Sequence, residues 1–126
     1  MPKKTILLID HDPLSIKLEK ILLSMESYEI HSVNDALEAI KLLESFTPDL
    51  ILMGMRLPGM SGLELIRNLK SHSKYKNIII IAVTANALEE EKEQAFAAGV
   101  DGYITKPIDI TTLPNVIDSY LSKKNE

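Results

Sequence analysis

The sequence predicts a parallel β-sheet covered by helices on both faces. Two observations carry this. Short runs that are almost continuously apolar suit strands buried on both sides, and they alternate with longer amphipathic stretches in a βαβα order. Five strands are expected, at Ile6–Ile9, Tyr28–Val33, Leu50–Met53, Ile78–Val83 and Gly102–Ile104. The second alternates apolar and polar residues more than the others, which marks an edge.

Helices are expected over 13–26, 35–45, 62–72, 87–98 and 110–122. Asp12 before Pro13 fits an N-cap with proline in the first helical position, where a missing N–H is harmless. Ser61 and Glu64 have capping-box spacing, and so do Asn86 and Glu89. Gly99 suits a left-handed C-terminal cap, and Pro114 belongs in the first turn of the last helix.

At 126 residues the chain is read as one domain, 1–126, with 45% hydrophobic and 25% charged residues. No apolar run approaches the ~20 residues of a membrane span, and the amino terminus lacks the apolar core of a signal peptide. The absence of Cys excludes disulfides and thiolate metal sites. A net charge of −4 without a basic cluster argues against nucleic acid as a partner. The expected setting is the cytoplasm, with no membrane association.

Four separated motifs carry more information: Ile9-Asp10-His11-Asp12-Pro13, Leu57-Pro58-Gly59-Met60-Ser61-Gly62, Ala82-Val83-Thr84-Ala85, and Gly99-Val100-Asp101-Gly102-Tyr103-Ile104-Thr105-Lys106-Pro107. In this order and spacing the chain resembles a two-component response regulator receiver domain from Ile6 to about Leu121. The resemblance implies a three-layer α/β/α flavodoxin-like fold with five parallel strands in order 2-1-3-4-5. It also places a crevice at the carboxyl ends of strands 1 and 3, as open α/β sheets do at a reversal of strand order.

The same resemblance puts the phosphoryl-accepting aspartate of the family at position 54, which here is Gly54. The acidic pair that helps hold Mg²⁺ in the family falls on Asp10 and His11, and imidazole is a poorer magnesium ligand than carboxylate. Asp10 is then the one residue left for weak cation binding, and Asp12 is read first as a helix cap. His11 could act as a ligand or simply reduce the negative charge of the pocket. Thr84 and Lys106 match the hydroxyl and ammonium that contact the phosphoryl group in the family, Tyr103 its switch aromatic, and Pro107 its cis proline. No bound cofactor is expected, magnesium binding being compromised at two positions.

On the first helix, Leu14, Leu18, Ile21, Leu22 and Met25 follow an i, i+4, i+7, i+8, i+11 pattern and are expected to form the core face. Ile16 and Leu23 would then form an exposed stripe, a candidate dock for a histidine kinase or histidine phosphotransfer bundle. A second candidate surface, for a downstream effector, is helix 4 with strand 5 and helix 5, where Glu89, Glu90, Glu91 and Glu93 give helix 4 an acidic face.

The expectation is a non-enzymatic receiver module that acts by protein–protein contact in a phosphorelay. No DNA-binding segment follows the fifth helix in this sequence, so a stand-alone or excised receiver is expected. One alternative is a variant of an ordinary phospho-accepting regulator with its aspartate replaced by Gly54. Another is a small flavodoxin-like enzyme or ligand-binding protein, although no Walker loop, GxGxxG or Ser-His-Asp signature is present.

Overall fold

The computed structural model describes residues 4–24, 28–85 and 88–124. Its strands are β1 (Lys4–Ile9), β2 (Tyr28–Val33), β3 (Leu50–Gly54), β4 (Ile79–Thr84) and β5 (Gly102–Thr105). All are parallel, in order β2-β1-β3-β4-β5. Between them run α1 (Pro13–Ser24), α2 (Ala36–Leu43), α3 (Gly62–Lys70), α4 (Glu89–Ala98) and α5 (Leu113–Lys124). The alternating faces of the central strands explain the three layers. Leu7, Ile9, Ile51, Met53, Ile80 and Ala82 pack against the buried sides of α2, α3 and α4. Their neighbours Ile6, Leu8, Leu50, Leu52, Ile81 and Val83 pack against α1 and α5. A strand buried on both faces has no polar alternation to show, which is why these runs read as continuously apolar.

Local chemistry sets most of the helix ends. Asp12 caps α1, one carboxylate oxygen accepting the Leu14 N–H at 3.0 Å and the other the Ser15 hydroxyl at 3.0 Å. These bonds, led by that of the Leu14 amide, hold the Asp12 carboxyl below its ordinary range. Ser61 accepts the Glu64 N–H at 3.2 Å, and Gly99 closes α4 in the left-handed region at φ +117°. Helix α4 starts later than the sequence suggests, with Leu88 as N-cap and no side-chain cap bond. Asn86, the expected cap, lies outside the described residues. Pro114 sits in the first turn of α5.

Helix α1 corrects the sequence reading. Its buried residues are Ser15, Ile16, Glu19 and Leu23, whereas Leu14 is 74% and Ile21 53% exposed. The expected stripe therefore belongs to the core, and Leu14 and Ile21 of the expected core face lie largely in water, while Leu22 is half-buried and packs against the core as expected. Ile16 and Leu23 are core residues, and truncating them would open cavities rather than test a dock. Apolar side chains occur all round this helix, so periodicity does not fix its rotation. A glutamate in the middle of the true inner face made that face look polar. Met25 lies outside the described residues.

Candidate functional site

Parallel strands bring their carboxyl ends to one edge of the sheet. Asp10 follows β1, Gly54 ends β3, Thr84 ends β4 and Lys106 follows β5. Together with His11, Asp12, Met55, Arg56, Val83 and Ala85 they line a cavity of about 230 Å³. The Lys106–Pro107 peptide that follows is cis. Of the residues singled out from sequence, Asp10, His11, Asp12, Gly54, Thr84 and Lys106 meet here. Tyr103 lies two residues before the end of β5, half-buried and facing α4 rather than lining the cavity.

The floor of the cavity is filled by Asp10. Its carboxylate is 4% exposed as a residue, accepts the Asp12 N–H at 2.9 Å, and pairs with the Lys106 ammonium at 3.2 Å. A Cβ added at Gly54 would lie 2.9 Å from the Asp10 carboxyl carbon and 3.0 and 3.1 Å from its two oxygens. Thus Asp10 leans over the glycine, into space that any larger side chain at position 54 would claim. The loop that follows is equally close. Gly62 donates its N–H to the Met55 carbonyl at 3.0 Å, and a Cβ there would meet the Gly54 carbonyl at 2.8 Å.

These donors do not match a magnesium site. Both Asp10 oxygens are already engaged, position 54 offers no side-chain donor, and the third residue is an exposed imidazole. Magnesium favours an octahedron of hard oxygens, which this set does not supply. Among the described residues, no group of three or more His, Cys, Asp or Glu is placed to hold a metal ion.

Two carboxylates near the site are not assigned to it from sequence: Glu19 has no reading there, and Glu91 belongs only to the acidic face of helix 4. Glu19 of α1 is 1% exposed, and its Oε2 has no hydrogen-bond partner. Burial, reinforced by the charge of Asp10 and partly offset by Lys106, pushes its carboxyl from the ordinary 4.5 up to about 8. Glu91, half-buried in the first turn of α4, accepts a long hydrogen bond from the Thr84 hydroxyl at 3.3 Å. Burial and then the nearby Glu91 charge raise the Tyr103 hydroxyl above its usual range, opposed by a bond with Thr84. No sequence signal distinguishes Glu91 from its exposed neighbours Glu89 and Glu90.

A family model for the response regulator receiver domain matches residues 6–118. The chain belongs to that family. Among curated relatives, this receiver is 37% identical over 121 residues to the polar-differentiation response regulator DivK of Brucella anthropi, covering 96% of this chain and 98% of the relative. A CheY-like receiver domain protein from Methanospirillum hungatei superimposes with a TM-score of 0.89 at 31% identity, over 98% of both chains. The receiver domain of the sensor histidine kinase PA1611 from Pseudomonas aeruginosa is 28% identical with a TM-score of 0.86, over 96% of this chain and 99% of that one. That structure holds a magnesium ion in its active-site cleft. No helix among the described residues of this receiver is long and apolar enough to cross a membrane.

Proposed function

We propose that this receiver acts by protein–protein contact in a phosphorelay without accepting a phosphoryl group at position 54 and without using magnesium. The supporting observation is the Asp10 carboxylate, which leans over Gly54 and is neutralised by Lys106. In-line phosphoryl transfer needs a positioned nucleophile and a metal to offset charge. At the end of β3 there is no nucleophilic side chain, and the remaining donors suit magnesium poorly. The ammonium that would steady a phosphorylated aspartate is already paired within the chain.

The partner class that fits is a histidine kinase or histidine phosphotransfer helix bundle. Leu14, Leu18 and Ile21 follow i, i+4, i+7 spacing and form an apolar stripe on the outer face of α1, two of them more than half exposed. The stripe begins two residues beyond Asp12, beside the cavity. An apolar ridge on one helix is the shape that packs between the helices of a bundle. A Leu14→Ser, Ile21→Ser double variant should keep its thermal midpoint, since both side chains are largely in water. Its affinity for a purified histidine phosphotransfer bundle, measured by calorimetry, should fall roughly 10- to 100-fold. Full affinity in the double variant would place the dock elsewhere.

A further inference from the structure

Helix α4 has little apolar anchorage. Its buried residues are Ala95 and Ala98, both near its carboxyl end, and its N-cap residue makes no side-chain cap bond. Leu88 and Phe96 leave much of their apolar surface in water, at 62% and 45% exposed. A helix packed this thinly at its start needs another constraint to hold one position. Glu89, Glu90 and Glu91 all favour the positive end of the helix dipole, but only Glu91 turns inward. Its carboxylate reaches the Thr84 hydroxyl at the end of β4, and its charge acts on the Tyr103 hydroxyl on β5. Further along α4, the Phe96 ring lies 6.5 Å from that of Tyr103. One side chain therefore joins the start of the helix to the end of β4, where Thr84 also meets the Tyr103 hydroxyl.

We infer that Glu91 is a built-in ligand of Thr84, positioning the first turns of α4 and the Tyr103 side chain on the sheet edge with no bound anion. This goes beyond the docking role of α1, because it names what sets the α4–β5 face on the opposite side of the cavity. A carboxylate accepting from a hydroxyl is a charge-assisted bond, and although this one is long at 3.3 Å, the low dielectric around it strengthens it. The face is then held in one arrangement by the chain itself, and Glu91 is a positioning residue.

The test uses the isolated receiver and needs no partner, so its failure would leave the α1 docking reading untouched. Amide hydrogen exchange and NMR titration of the Tyr103 hydroxyl would be compared in Glu91→Ala, Glu91→Gln, Thr84→Val and the Glu91→Ala, Thr84→Val double variant. Glu90→Ala, exposed in the same turn, is the control for the helix dipole. Glu91→Ala and Thr84→Val should each speed exchange in the first two turns of α4 about tenfold, and the double variant should add little more. Glu91→Gln removes the charge, so the Tyr103 hydroxyl should titrate at lower pH. Glu90→Ala should change neither readout appreciably. Equal behaviour of Glu91→Ala and Glu90→Ala would overturn the inference, as would additive effects or a Tyr103 titration unmoved by Glu91→Gln.

Discussion

Replacing Glu19 by Gln should remove most of a pH dependence of stability that spans the neutral range. In the unfolded chain this carboxyl titrates near its ordinary 4.5, and in the folded protein near 8. Between those values the folded state holds a proton that the unfolded state has lost. Stability therefore falls as pH rises from about 4.5 to about 8, and the loss levels off above that. The full span corresponds to at most ~4–5 kcal/mol, and relaxation around the ionised group would reduce it to a few. Glu19→Gln keeps the shape and abolishes the titration. Glu19→Leu also removes a buried polar atom with no partner, which costs about 1–3 kcal/mol where it stands. Thermal midpoints at pH 5 and pH 8.5 would check this: each variant should gain several degrees more over the native protein at the higher pH. A gap between variant and native that is the same at both pH values would refute the assignment.

Gly54→Asp should destabilise the protein and at the same time make it respond to magnesium. The new Cβ would arrive 2.9 Å from the Asp10 carboxyl carbon, so Asp10 must withdraw from the glycine. Asp10 is displaced at the end of its side chain, so the cost comes mainly from loosening its bonds to the Asp12 amide and Lys106, about 1 kcal/mol each, and a second carboxylate adds like-charge repulsion. The same pair creates two carboxylates for a hard cation, and a ligand that binds only the folded state restores stability by mass action. Gly54→Ala separates the terms: it should show the steric loss without the metal response. Denaturant unfolding with and without millimolar Mg²⁺ would read both. A Gly54→Asp protein as stable as the native one without metal would mean that Asp10 moves away freely.

The sheet was legible because buried parallel strands are the most distinctive pattern in the chain. Continuous apolar runs such as Leu50–Met53 leave no other place to go than between two helical layers. The cavity residues were legible through the resemblance to the receiver family, helped by the fact that parallel strands deliver their carboxyl ends to one edge whatever their loops do. Helix α1 was misread because apolar residues ring it, so that a single buried glutamate tips the periodicity toward the wrong face. Most side-chain partners across the fold were not legible. Glu91 meets Thr84, and Glu19 feels Asp10 and Lys106, only through the packing of separate elements. Nor does a glycine in a strand reveal which neighbour has closed over it.

The central claim is that the pocket over Gly54 is set by the chain and does not switch on a phosphoryl signal. An amide NMR titration with Mg²⁺ and then beryllofluoride, a phosphoryl mimic, tests it most directly. The native receiver should show no saturable shifts at Thr84, Tyr103 or Lys106, while Gly54→Asp should show them. Saturable shifts at those residues in the native chain would contradict the account, because the pocket would then still bind the mimic and pass the signal to β5.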